Sequence, residues 1–548
     1  MMDKKTLLAF ALSFIILVGW SLMFSPEPTK TPVKEEQDKP QKQAVQKSPV
    51  QQPATSAITP TESEPQKVPS EEKLVVVETP LYKAVFSSLG PTIRSFKLKQ
   101  YTETIAPDSP FIELINLSNP RDSHIDLGFS LSAGSDSLML YDVQGGPIRL
   151  EAGSSPSELL FTASSNDGLV HKKRFRFNPS SYVIEVSVEA GNISDKPAHG
   201  SFSASVRSLP PSSKASYYSY VGLVVLKDGK FQEADVEKEA KSLSGEIQWL
   251  AYQDSYFISA AIPDKPMGGT FRGKKLESGI LEGIFQGAET IIEPGMKAEE
   301  RFLFYLGPRE LGILSQAGHN LDKVVDFGWT DIIAKPLLYL LRFVYGYVPN
   351  YGIAIILLTI LVKILFWPLT HKSYKSMKEM QKLQPIMAKI RERHKGNKEA
   401  MNKELMGLYK TYKVNPMGGC LPMVIQIPVF FALFRILGSA IELRHAPFML
   451  WINDLAAPDR LFNFPFEIPL MTSPSGIPVL TLLMGASMFI QQKMTPTPGD
   501  PSQAKIMMFL PIIFTFMFIN FPSGLVLYWL VNNLLSIAQQ YRIQKRSA

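Results

Sequence analysis

The chain has 548 residues, 45% hydrophobic and 20% charged, which is too apolar for a mostly disordered protein and too long for one small module. Its net charge of +7 is unevenly placed: residues 26–330 sum to −7 and residues 331–548 to +13, with the excess positive charge beside long apolar runs. That pattern fits the positive-inside rule better than nucleic-acid binding, and no specific nucleic-acid sequence is expected as a partner. A single cysteine, Cys420, excludes an intrachain disulfide.

Residues 1–25 place Lys4 and Lys5 before an uncharged run, Thr6 to Phe24, close to the ~20 residues that cross a bilayer core. No small-x-small cleavage pattern follows, so the segment reads as an uncleaved signal anchor with its N-terminus in the cytoplasm. Residues 26–73 hold nine prolines and no aromatic residue, and they read as a disordered tether.

Residues 74–310 alternate in short runs rich in β-branched and aromatic residues, such as Lys173-Arg-Phe-Arg-Phe177 and Arg301-Phe-Leu-Phe-Tyr305. This predicts a large all-β sandwich, exported if the anchor holds the N-terminus inside. His124, His171, His199 and His319 stand alone, without metal-ligand or catalytic spacing, so neither an enzyme nor a cofactor is expected. Residues 311–349 turn amphipathic and helical, suiting an element that lies in the membrane interface.

Five further apolar runs lie at about 351–369, 417–441, 474–493, 506–521 and 524–541, within a 350–541 bundle. Charge orients them. The 370–416 segment is net +8 and reads as a cytoplasmic helical hairpin; the 442–473 loop is net −2 and reads as external; the 542–548 tail is again basic. The expected fold class is an α-helical integral membrane protein with six transmembrane helices, both termini cytoplasmic, carrying the β-sandwich outside.

Lys363 is the singular residue. It lies inside the first run of the bundle, where a cation costs on the order of 2–3 kcal/mol and should face protein or water, or else snorkel to the interface. Thr359 is one turn above it. Tyr528, Asn532 and Ser536 form a second polar stripe at i, i+4, i+8, continuing to Gln539 or Gln540, with Gln426 and Gln491 adding amides on other runs. These groups read either as interhelical hydrogen bonds or as the lining of a wet cavity open to the cytoplasm. Arg435 is a second cation, with Glu442 seven residues on as its expected partner.

In the hairpin, Met377, Met380, Met387, Met401 and Met406 fall on apolar helix positions beside Arg391 and Arg393. A flexible Met surface suits varied apolar partners. The same pattern serves a hairpin that packs on itself and on anionic lipid.

Four motifs, Asn415-Pro-Met-Gly-Gly-Cys-Leu-Pro422, Gln426-Ile-Pro-Val-Phe-Phe-Ala-Leu433, Ala446-Pro-Phe-Met-Leu-Trp-Ile452 with Asp454-Leu455, and Phe521-Pro-Ser-Gly-Leu-Val-Leu-Tyr-Trp529, closely resemble the YidC branch of the YidC/Oxa/Alb membrane-protein insertases. The resemblance is strong over about 330–541, while the anchor, tether and β-domain match its Gram-negative form in layout. It implies an inner-membrane insertase and chaperone for nascent membrane proteins, working alone or with the Sec translocon, with the ribosome and the lipid bilayer as further partners. It further implies a five-helix core around a hydrophilic groove, with Lys363 at the position of the family's cation and Thr359, Gln426 and Trp529 along the groove. A secondary transporter or channel that uses Lys363 is the alternative, weakened by the absence of an evident inverted repeat.

Overall fold

The computed structural model describes residues 56–57 and 71–546, apart from 118, 120–122, 132–138, 211–218, 238, 395, 413–420 and 496–500. The expected anchor (1–25), nearly all of the tether (26–73) and the first part of the 415–422 motif lie outside the described residues.

From Leu74 to Pro308 the chain is built of antiparallel strands, joined by one parallel pairing between Leu74–Glu78 and Ile148–Arg149. Alternation along each strand divides it into an inner and an outer face: Leu169–Phe177 buries every second residue and exposes most of the others. The result is a 15-stranded sheet facing a five-stranded one. Phe86 of the smaller sheet meets Phe175 and Phe177 of the larger at 5.1 and 5.3 Å between ring centroids, and Trp249, Phe129, Phe161 and Phe202 fill the same core. Ser56–Ala57, within the tether, pairs with Met296–Lys297 of a strand inside the large sheet.

Helices follow: α1 (Leu311–Ala317), α2 (Asp331–Tyr347), α3 (Tyr351–Leu365), α4 (Trp367–Arg393), α5 (Lys398–Thr411), α6 (Leu421–Ser439), α7 (Val479–Met494), α8 (Pro501–Phe518) and α9 (Ser523–Arg546). Arg309 ties the β-domain to the chain that leads into them, donating through Nη1 to the Asp254 carbonyl at 2.6 Å and through Nη2 to the Val324 carbonyl at 3.2 Å.

The bundle inverts the exposure rule of a water-soluble core. Ile332, Phe343, Leu361, Ile364, Leu365, Leu482, Phe509, Ile512 and Phe516 point outward, while Thr359, Lys363, Thr370, Asn533, Ser536, Gln539 and Gln540 are buried. Large apolar side chains on the outside, with polar groups buried among apolar ones such as Leu358, Leu433 and Val526, suit a hydrocarbon surrounding. Among the described residues no single helix is long and apolar enough to cross a membrane; α3 and α4 pass that test together but bend by 65° at their junction.

That bend falls within the expected run at 351–369. Pro368 has no N–H to offer the Ile364 carbonyl, and its ring would crowd that carbonyl, so α3 ends and α4 starts afresh with the proline in its first turn.

Candidate functional site

The helix break puts Lys363 in the last turn of α3, where the free carbonyl end of the helix favours a cation. Its side chain is 6% exposed. Nζ donates to Asn532 Oδ1 at 3.0 Å and to Ser536 Oγ at 2.7 Å, both one turn apart on α9. Gln426 of α6 reaches the same Asn532 Oδ1 from the other side, Nε2 to oxygen 3.4 Å, and Ser536 in turn donates to the Asn532 carbonyl at 2.7 Å. Lys363, Gln426, Asn532 and Ser536 therefore form one cluster joining three helices, and Lys363's partners in it are neutral oxygens.

The other expected groove residues separate from this cluster. Thr359 is buried, and its hydroxyl donates to the Ile355 carbonyl of its own helix at 2.7 Å. Trp529 is half-buried in an aromatic nest, 4.8 Å from Phe430 and 4.5 Å from Phe518, and Tyr528 is buried. Gln491 is half-buried near the end of α7, where its backbone carbonyl accepts from Thr495 Oγ1 at 2.8 Å.

Further pairs tie α9 to its neighbours: Gln539 Nε2 donates to Thr370 Oγ1 at 2.9 Å, Asn533 Nδ2 to Ser487 Oγ at 3.1 Å, and Gln540 Nε2 to Thr495 Oγ1 at 3.2 Å. Thr370, Ser487 and Asn533 escaped the sequence reading. The available signal was their position among apolar neighbours at helical spacing from residues already marked.

The hairpin packs on itself. Asn397 caps α5 by accepting from the Ala400 N–H, after Gly396 turns the chain at φ +109°. Met387 is buried with Leu383, Ile390 and Leu405, and Met380 and Met401 pack against them. Met406 is exposed, and Met377 lies half-buried near Met494 and Ile543. Arg393 pairs with Glu404 at 3.0 Å, His394 bonds the same carboxylate, and Arg391 is half-buried.

The expected Arg435–Glu442 pair does not form. Helix α6 ends at Ser439, so the seven-residue spacing no longer keeps the two on one face; Glu442 turns inward to within 4.0 Å of Arg342, and Arg435 is exposed.

Between α6 and α7, the resembling motif around Trp451 is a scaffold. Asp454 Oδ1 accepts from the His445 and Ala456 backbone N–H groups, and Asp459 accepts from Trp451 Nε1 and from the backbone N–H of Leu480 in the first turn of α7.

A many-stranded sandwich carried on a helical bundle with an apolar exterior and a buried, hydrogen-bonded lysine defines the class: a membrane-embedded protein with a large aqueous domain. Two family descriptions match it, the YidC periplasmic domain over residues 74–340 and the 60Kd inner membrane protein over 343–548. The membrane protein insertase YidC of Syntrophobacter fumaroxidans is 42% identical over 100% of both chains, and that of Syntrophus aciditrophicus is 42% identical with the same coverage. A solved structure of an active YidC insertase is similar over 88% of this chain and 95% of its own, at 19% identity and a TM-score of 0.36. The chain belongs to the YidC membrane protein insertase family.

Proposed function

We propose that this protein inserts newly made membrane proteins into the inner membrane and assists their folding, through a hydrophilic groove open to the cytoplasm and to lipid. The observation that carries the reading is Lys363, a buried cation held by the neutral oxygens of Asn532 and Ser536, with no carboxylate paired to it among the described residues. A fixed positive charge inside an apolar bundle lowers the cost of bringing a polar or acidic translocated segment part-way into the membrane. The client's apolar segment then leaves along the outward faces of the helices into lipid, driven by burial of its own surface. Six spans, cytoplasmic termini and a periplasmic β-domain complete the proposal. The Met-rich basic hairpin receives the client or the ribosome, and the protein works alone or beside the Sec translocon. Exposed Met406 and half-buried Met377 are its contact residues, since Met380, Met387 and Met401 are spent on the hairpin's own core.

Photocrosslinking probes at Gln426 and Trp529, tested against a nascent membrane protein held on stalled ribosomes, examine this directly. Crosslinks to the client's apolar segment are expected. A client that inserts normally without touching either position would refute the groove and return the polar cluster to helix packing.

A further inference from the structure

The external loop between α6 and α7 contains a short hairpin in which Leu461–Asn463 pairs with Gly476–Ile477. Its tip holds the sequence Leu461-Phe-Asn-Phe-Pro-Phe-Glu-Ile-Pro-Leu-Met471, and between Leu461 and Pro478 Glu467 is the one charged residue. Phe462, Phe466 and Leu470 are 70%, 61% and 88% exposed. Phe462 and Leu470 also hold left-handed backbone angles, φ +56° and +70°, which bulky L-residues disfavour.

The shape is enforced from below. Asn520, just past α8, donates through Nδ2 to the Leu470 carbonyl at 2.7 Å and accepts from the Thr472 N–H at 2.9 Å. Arg460 turns inward to the Ile519 carbonyl at 2.8 Å and to Asn520 Oδ1 at 3.1 Å, so its charge is withdrawn from the tip. Strain retained in order to hold large apolar groups outward, with the adjacent charge folded under, points to a surface they enter.

We propose that this hairpin is an interfacial anchor whose Phe462, Phe466 and Leu470 sit among the lipids of the outer leaflet. The occupant follows from continuity. The hairpin runs directly into α7, whose outward Leu482 and Leu483 lie one turn further on, and its pinning residue Asn520 follows outward Phe516 and Met517 at the end of α8. The exposed tip thus extends the apolar outer layer of the bundle at its external end, where aromatic residues favour the headgroup boundary. The inference rests on the membrane reading proposed above.

The test uses the full chain with Cys420→Ser and one cysteine at a time, F466C, F516C or S242C, labelled with an environment-sensitive fluorophore and reconstituted singly in lipid nanodiscs of phosphatidylethanolamine and phosphatidylglycerol. Ser242 is an exposed strand residue of the β-domain and reports full water access. The Phe466 site is expected to be about fivefold less quenched by iodide than the Ser242 site, and to be quenched by a nitroxide carried near the lipid headgroup. Adding Leu470→Asn, a residue that tolerates a left-handed angle, should return the Phe466 label toward water without unfolding the hairpin. Iodide access at Phe466 equal to that at Ser242, with Phe516 protected, would overturn the anchor and leave the membrane reading standing. Access at Phe516 as well would overturn both. Protection at Phe466 that appears only in native membranes would make the occupant a protein and refute the lipid assignment.

Discussion

Replacing Lys363 by Met separates a charge that serves a client from one that serves the fold. Burying the ammonium costs about 3 kcal/mol on insertion scales. Its two hydrogen bonds, to Asn532 Oδ1 and Ser536 Oγ, return about 1.5 kcal/mol each, so the lysine contributes close to nothing net. The variant also leaves few orphans, because Asn532 Oδ1 keeps the Gln426 amide and Ser536 keeps the Asn532 carbonyl. Stability in detergent should therefore stay within about 1 kcal/mol of the parent. For a client, a carboxylate brought to about 5 Å from the ammonium at an effective dielectric near 20 gains about 3 kcal/mol. Losing that attraction should slow insertion of clients with acidic translocated tails about 100-fold, with little change for neutral tails and recovery in Lys363→Arg. The assay is protease protection of the tail after insertion into proteoliposomes, run beside thermal unfolding. Equal losses for acidic and neutral tails together with a large drop in melting temperature would refute the argument and make Lys363 a packing residue.

Three further outcomes follow from other parts of the molecule. His124 is fully buried in the β-domain against Ser259, and burial lowers its pKa to about 4. The unfolded chain then binds a proton from pH 6.5 downward while the folded one stays neutral, so about 3 kcal/mol of stability is lost as pH falls from 7 to 4. His124→Gln should flatten that slope in thermal melts, and parallel curves for parent and variant would refute the assignment. A Cβ at Gly485 would lie 2.1 Å from Thr515 Oγ1, so Gly485→Val should force α7 and α8 apart at a cost of about 2–3 kcal/mol, partly recovered by Thr515→Ala; an unchanged melting temperature would show that the two helices are not in close contact. Arg444 donates to the Thr102 carbonyl at 2.7 Å and lies 5.8 Å from the Tyr256 and Phe257 rings, clasping the β-domain to the α6–α7 loop. Arg444→Ala should speed amide exchange about 10-fold at residues 101–104 and leave the 183–192 strand unchanged, whereas faster exchange in both would place the effect on the whole domain.

What was legible in the sequence was whatever depends on near neighbours. The alternation in Leu169–Phe177 marks a half-buried strand, and Trp367-Pro368 carries the information for the α3–α4 break, although hydropathy alone runs across it. Lys363 stands out because a cation in an apolar run has few places to go. Its partners are 169 and 173 residues away, and no periodicity links them; only packing of α9 against α3 brings them together. The Arg435–Glu442 expectation failed for the converse reason, since it assumed a helix that stops at Ser439.

Helical spacing places Met380, Met387 and Met401 on an apolar face but does not say who covers it. Here α4 and α5 cover each other, and Met406 is the one of the hairpin's five marked methionines left exposed. The same limit, reversed, governs the outer faces of the bundle. Ile364, Leu365, Phe509 and Phe516 read as core by hydropathy and are exposed in the fold, a mismatch that suits the membrane setting proposed above. Polar groups then carry the specificity of helix association that apolar burial supplies in water, because an apolar side chain gains little by leaving lipid for protein. On that argument, the buried amides and hydroxyls of α9 order the bundle, and Lys363, whose bonds only offset its own burial, is the member of the cluster to which the proposed function assigns the client.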